Sequence, residues 1–291
     1  MKLYRTPAGI AFDIGNSLLM GLLIVFTLYP CLYVLYASLS DPTLLYNNGK
    51  LLLFPVGFNL EGYKLVFKNP MIWIGYKNTL IYVVLGTAIN MMMTTLAAYA
   101  LSRSYLPGKR TLLLLIIFTM YFSGGLIPNF LLVKSLHLYD TIWALVLPGA
   151  ISTWNLIIMR TYFVSIPESM EESAKVDGAN DFIILIRIMI PLAIPIMAVM
   201  VLFYSVAHWN SFMGPLIYLN DREKFPIQLI LREILIAGST DSMTAGAQEQ
   251  AILAESVKYA TIIVSTLPIM LVYPFLQKYF VKGIMIGAIK G

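Results

Sequence analysis

Long apolar runs, each closed by a polar or charged stretch, dominate the pattern of this chain. They fall at about 14–38, 78–101, 111–133, 142–163, 191–219 and 259–280, each near or above the roughly 20 residues that an α-helix needs to cross a bilayer core. The pattern predicts an all-α integral membrane protein with six spans, forming a single transmembrane domain over residues 1–291. The third run is broken by "SGGLIP" (Ser123 to Pro128), and Pro30, Pro148, Pro195, Pro215, Pro268 and Pro274 sit in or near the others. Kinks are expected there, where neighbouring helices or water can satisfy the freed carbonyls.

Two connections, at about 39–77 and 220–258, are far longer than the rest. Within the second, "KFPIQLILREIL" (Lys224 to Leu235) alternates apolar and charged positions as a short amphipathic helix would, and "AGSTDSMTAGAQEQ" (Ala237 to Gln250) follows as a mobile polar tip. Connections of this length are usually functional or disordered, and the amphipathic stretch favours function.

Composition agrees with the pattern. With 59% hydrophobic and 12% charged residues and a mean hydropathy of +0.78, the chain cannot hide its apolar surface as a soluble globule. The net charge of +5 does not point to nucleic acid, because Lys and Arg gather at span ends. They are densest in the short connections and tails that hold Lys2, Arg5, Arg103, Lys109, Arg110, Arg160, Lys175, Arg187, Lys278, Lys282 and Lys290. That side is expected to be cytoplasmic, with both termini inside. The apolar run after Lys2 and Arg5 exceeds signal-peptide length and has no clear small-residue cleavage site, so it reads as a retained first span. Cys31 lies inside that run, and His137 and His208 are far apart, which gives little support to a disulfide or a Cys/His metal site.

The spans carry almost no ionisable groups. His208, beside Trp209 near the outer end of the fifth run, reads as an interfacial histidine, and Arg160 and Lys278 can snorkel to a boundary. Proton or sodium coupling normally needs intramembrane charges, and the pairs Gly49-Lys50 and Gly108-Lys109 lack the spacing of a phosphate-binding loop. A driven transporter of this sequence needs an outside motor. A membrane-embedded transferase, the competing class, should instead bring His, Asp, Glu or Ser groups together at one depth.

Charge concentrates elsewhere. Five of the 15 acidic residues (Glu168, Glu171, Glu172, Asp177 and Asp181) lie in the stretch "SIPESMEESAKVDGANDF", Ser165 to Phe182. Ser165 and Glu168 have the spacing of a capping box, with Pro167 in the first turn. Glu168, Glu171, Glu172 and Lys175 follow at i, i+3, i+4 and i+7 and so share one face; Met170, Ser173 and Ala174 make a second. Gly178 after Asp177 suits a left-handed helix end, and Asn180 or Asp181 can cap a second helix that runs to Pro191. The expected form over residues 165–190 is helix, glycine turn, helix, protruding at the cytoplasmic face.

"EESAKVDGANDFIILIRIMIP" resembles the signature loop of permease subunits of binding-protein-dependent ATP-binding cassette importers: E-A-A, three residues, G, nine residues, I-x-L-P. Glu172, Ser173 and Ala174 stand for E-A-A, Gly178 for the glycine, and Ile188, Ile190 and Pro191 for the end, with both gaps matched. Ser173 and Ile190 are conservative departures. "IPE" (Ile166 to Glu168), "HWNSFMGPLIYL" (His208 to Leu219) and "KGIMIGAIKG" (Lys282 to Gly291) are similar to the carbohydrate branch, in particular the smaller six-span subunit of maltose-type systems.

The resemblance implies a type I importer permease fold in a bacterial plasma membrane, with a sugar as substrate and amino-acid or peptide import as the alternative. It implies a second permease subunit, two cytoplasmic ATPase subunits that carry ATP and Mg, and an extracytoplasmic solute-binding protein, with no cofactor on this chain. The loop would be a coupling helix seated in the ATPase, with Glu172 as its ion-pairing residue, Ser173 and Ala174 its close-approach surface and Gly178 its turn; Glu168, Glu171, Asp177 and Ala179 belong to the same contact set. The 220–258 loop would reach into the binding protein and help release the sugar. Asn90, Tyr121, Trp154, Asn155, Trp209 and Asn210 are candidates for the substrate pathway, because amides and aromatic faces suit a neutral hydroxyl-rich ligand.

The expected topology has a direct check. In a Cys31→Ser background, Asn180→Cys should react with a membrane-impermeant maleimide only after the membrane is opened; labelling in intact cells would overturn it.

Overall fold

The computed structural model describes residues 7–47, 51–241 and 254–271. Its elements are α1 (Pro7–Leu39), α2 (Pro42–Asn47), α3 (Glu61–Lys68), α4 (Pro70–Ser102), α5 (Lys109–Tyr121), α6 (Leu126–Ser135), α7 (Trp143–Val146), α8 (Thr153–Ser165), α9 (Glu168–Val176), α10 (Asp181–Ile184), a π-helical segment (Leu185–Met189), α11 (Ile190–Leu192), α12 (Ile194–Trp209), α13 (Met213–Tyr218), a 3₁₀ turn (Arg222–Lys224), α14 (Ile227–Asp241) and α15 (Ala254–Leu271). Among the described residues the β-pairing is limited to an isolated bridge between Ser40 and Phe58.

Among the described residues three helices, α1, α4 and α15, are long and apolar enough to cross a membrane, and the number rises to five if each of two bent pairs is one span. α1 and α4 have 33 residues each, about 50 Å of helix against a hydrocarbon core of about 30 Å. The run expected at 142–163 is not one helix. Pro148 and Gly149 separate the single turn of α7 from the 13 residues of α8, which reach only about 20 Å. The expected span at 259–280 falls on α15 as far as Leu271, and the rest lies outside the described residues.

Both bent pairs follow from local chemistry. Between α5 and α6 the chain turns by 113° at Ser123 to Gly125, where Gly125 has φ 86° and ψ 176°, a combination that only glycine adopts readily. Between α11 and α12 the bend is 84°. There Pro191 has no N–H to give the carbonyl four residues back, and the preceding turn widens so that Ile190 N bonds Leu185 O. Pro195 opens α12 at a position where a missing donor costs little.

The described residues group into two compact units, those within 1–70 and 231–266 and those within 71–230 and 267–271. In the first, Ala37, Leu45 and Leu52 are packed by Tyr33, Tyr36, Val56 and Tyr259, and the Ser38 and Tyr63 hydroxyls meet at 2.7 Å. In the second, α4 is the central strut. Gly75, Thr79, Tyr82, Gly86, Asn90, Thr94, Ala98 and Ser102 recur at helical spacing on its buried face. The small members admit close neighbours: a Cβ on Gly75 would sit 3.1 Å from the Ile227 backbone, and one on Gly86 would sit 2.4 Å from His208 Nε2.

The polar members satisfy breaks in other elements. Asn90 Nδ2 donates to the Gly149 and Ala150 carbonyls at 2.6 and 2.9 Å, between α7 and α8. Thr94 and Tyr204 of α12 share a hydrogen bond at 2.7 Å, and the Tyr204 hydroxyl also accepts the Ser152 N–H at 3.2 Å. Asn78 donates to the carbonyls of Glu223 and Phe225, Tyr82 to that of Lys224, and Thr79 Oγ1 accepts the Ile227 N–H.

Candidate functional site

The acidic segment forms α9, a tight turn and α10. α9 starts at Glu168 with Pro167 as its N-cap and no side-chain cap. The expected capping box is absent because Ser165 Oγ donates back to the Tyr162 carbonyl at 2.7 Å and so belongs to the end of α8. The C-terminal end carries a Schellman motif: Gly178 N bonds Lys175 O at 3.0 Å and Ala179 N bonds Ala174 O at 2.9 Å. Gly178 has φ +81°, and a Cβ there would meet open space, so backbone conformation alone requires the glycine. Asn180 then caps α10, its Oδ1 accepting Ile183 N at 2.9 Å.

The two faces of α9 are not those of the simple charge stripe. Its inward direction runs between Glu171 and Ala174. Ala174, with Ala179 and Ile166, packs on the buried cluster that includes Met159, Phe163 and Ile184. Glu171, expected among the acids of the contact set, is only 6% exposed and forms an ion pair with Arg103, itself 8% exposed, at the end of α4. Glu168, Glu172, Ser173, Asp177 and Gly178 are exposed. On the same segment Val176 is 88% exposed, and Met170 and Phe182 are also open. Arg103 had been legible only as an orientation charge; the one signal for its role is the neighbouring Glu171–Lys175 pair at i, i+4, which closes at 2.7 Å on the inner edge of α9.

The pathway candidates divide. Asn90, Asn155 and Trp209 are buried. Asn90 is committed to the break at Gly149 and Ala150 and to His208 Nε2 at 2.6 Å, and the Trp209 ring lies 6.3 Å from that of Tyr76. His208 correspondingly sits against Gly86 of α4, half-buried. Tyr121 and Trp154, 79% and 63% exposed, stand on α5 and α8. Those helices touch where the Thr119 and Thr153 hydroxyls meet at 3.4 Å. Asn210 is exposed at the end of α12.

The 220–258 connection begins as a fastened strap. Asp140, held at φ 58°, accepts Asn220 N and Asp221 N at 3.0 and 3.2 Å and pairs with Lys224 Nζ at 2.9 Å. Partial desolvation pushes the Asp140 carboxyl up, but the two backbone donors and the Lys224 ammonium outweigh it and hold it below the usual carboxylate range. The same hydrogen bond holds Lys224 above its ordinary value. The expected amphipathic helix appears as α14, with Ile227, Leu229 and Ile230 buried. Most of the expected polar tip, from residue 242 onward, lies outside the described residues.

A helical membrane protein that presents a short acidic helix on a glycine turn, ahead of a proline-broken helix, has the build of a transporter's membrane subunit. Residues 109–286 match the family described as binding-protein-dependent transport system inner membrane component, and the chain belongs to that family. It is 43% identical over 287 residues to the polygalacturonan/rhamnogalacturonan transport system permease protein YtcP of Bacillus subtilis (strain 168), covering 95% of this chain and 98% of the relative. It is 41% identical to Protein LplC of the same organism, over 99% and 98% of the two chains. Among solved structures it resembles a bacterial ABC transporter involved in the import of the acidic polysaccharide alginate, with TM-score 0.87, 33% identity and coverage of 96% of this chain and 100% of that one. The chain is an ABC permease subunit, a transport component and not an enzyme.

The turn after α9 gives a local test. Gly178→Val forces a β-branched side chain into the left-handed region at a cost of about 1–2 kcal/mol, so amide exchange at Ala179 should rise about tenfold while far-UV circular dichroism and membrane insertion hold. Unchanged exchange would mean that the two C-terminal bonds do not hold the turn.

Proposed function

We propose that this chain is one permease half of an ATP-driven importer in a bacterial plasma membrane, and that its cargo is an acidic oligosaccharide. A solute-binding protein delivers the sugar from outside. A second permease chain completes the pathway, and two cytoplasmic ATPase subunits hold ATP and Mg; this chain carries no cofactor. Both termini and the α9 segment face the cytoplasm.

The observation that carries the reading is the exposed surface of the α9 segment. Val176, Met170 and Phe182 are exposed apolar residues on the same segment as the exposed acids Glu168, Glu172 and Asp177, and the Gly178 turn and Asn180 cap fix the two helices relative to each other. A surface that combines open apolar and acidic side chains suits a cleft with apolar and basic groups, and a neighbouring motor supplies the drive that the spans themselves lack. The acidic cargo is supported by two relatives, one named for polygalacturonan and rhamnogalacturonan, the other described as importing the acidic polysaccharide alginate. Tyr121 and Trp154 offer exposed aromatic faces for sugar rings, and the strap at Asp140 and Lys224 gives the 220–258 loop a fixed base from which to meet the binding protein.

The test is ATP hydrolysis by the complete transporter in liposomes. Binding protein loaded with an oligogalacturonide should stimulate it, whereas an uncharged oligogalactoside of equal length should not. Equal or greater stimulation by the uncharged sugar would remove the acidic class, and stimulation by peptides alone would remove the sugar.

A further inference from the structure

Arg103 closes α4 with a side chain that joins three helices. Its Nε donates to Ser102 Oγ at 2.9 Å, one terminal nitrogen pairs with Glu171 of α9, and the other approaches the Phe163 carbonyl, in the last turn of α8, at 3.5 Å. The guanidinium lies 4.8 Å above the Tyr99 ring. The second oxygen of Glu171 is 2.7 Å from Lys175 Nζ, which also stands 3.7 Å from Asp181 and 4.2 Å above the Tyr105 ring, and the Tyr105 hydroxyl donates to Asp181 at 3.0 Å. Arg103, Lys175, Glu171 and Asp181 therefore close a cluster of balanced charge between α4, α8, α9 and α10.

A buried ion pair gains little stability over apolar packing, because desolvation offsets most of the attraction. What a planar guanidinium with several directed donors supplies is geometry. Here the geometry fixes α9 to the ends of α4 and α8, while the next acid along, Glu172, is exposed at the rim of the same small cavity that Arg103 and Glu171 line.

We infer that Arg103 and Glu171 are positioning residues that clasp the acidic helix to α4 and α8, so that displacement of α9 by a motor is delivered to those helices. The inference rests on the importer reading above and deepens it. Glu172 is the acid that meets the ATPase, and Glu171 is turned inward to the clasp. α4 is the receiver: the same helix holds the α7–α8 break through Asn90 and holds α12 through the Thr94–Tyr204 and Asn90–His208 hydrogen bonds.

The test compares Glu171→Gln, Arg103→Met, Arg103→Lys, their double Arg103→Met/Glu171→Gln, and Glu172→Gln in the complete transporter. Glu171→Gln and Arg103→Met should still co-purify with the ATPase subunits. Stimulation of hydrolysis by sugar-loaded binding protein should fall at least about fivefold, the lower end of ordinary coupling between sites. The double should be no worse than the weaker single, since both remove one interaction, and Arg103→Lys should recover part of the loss. Glu172→Gln should instead reduce co-purification. Loss of the ATPase subunits by Glu171→Gln to the extent seen with Glu172→Gln would place Glu171 at the partner and overturn the clasp. Full stimulation in Glu171→Gln and Arg103→Met would overturn it as well, and failure of Glu171→Gln to insert would reduce the pair to a folding element. An unaltered chain that neither binds the ATPase subunits nor responds to any loaded binding protein would sink the importer reading, and the clasp with it.

Discussion

A backbone N–H or C=O without a partner in lipid costs several kcal/mol, and in residues 71–230 this constraint decides where irregular structure is allowed. The bends at Gly125 and Pro191 are met by bonds within a few residues, and two other irregular segments draw their partners from α4. Asn90 takes the carbonyls freed by Pro148 and Gly149, and Asn78, Thr79 and Tyr82 hold the segment between the 3₁₀ turn and α14. Tyr204 of α12, itself bonded to Thr94, serves the start of α8. The helix can do this because its buried face is small and polar, with glycines at 75 and 86 that let Ile227 and His208 approach closely. Changes on that face therefore reach several elements at once.

The same helix ends in Arg103. A strut whose middle holds the bundle and whose end holds α9 is a short mechanical route from the exposed acidic helix to the interior. The route needs no relay of small adjustments: α9, the end of α8 and the end of α4 meet at one guanidinium. On the importer reading, a motor that moves α9 moves α4, and with it the contacts to α12 and to the α7–α8 break.

Features fixed by local chemistry were legible in the sequence. Gly178 after Asp177, Asn180 before an apolar run, the breaker at Ser123 to Gly125 and the amphipathic stretch from Lys224 each have a backbone or periodicity reason that needs no knowledge of neighbours, and each takes the expected form. Features fixed by tertiary partners were not. Ser165 has the right spacing for a cap but finds the Tyr162 carbonyl first. Glu171 and Glu172 are chemically alike, and only the direction of the bundle decides that one is buried and the other exposed. The contacts of His208 with Gly86 and Asn90, more than a hundred residues away in the chain, have no sequence signal. The 142–163 run is apolar enough to span, yet Pro148 and Gly149 divide it, and the satisfaction of that break depends on residues far away in the chain.

The central claim is that α4 and the acidic helix move as one piece. Double electron–electron resonance between spin labels at Val84→Cys and Ser169→Cys, in a Cys31→Ser background, reads their separation in the assembled transporter. Both positions are exposed, and neither belongs to the clasp or to the residues assigned to the ATPase contact. The account predicts one narrow distance distribution that is the same in the nucleotide-free and ATP-bound states. A shifted or split distribution on ATP binding would show the acidic helix moving against α4 and would contradict it.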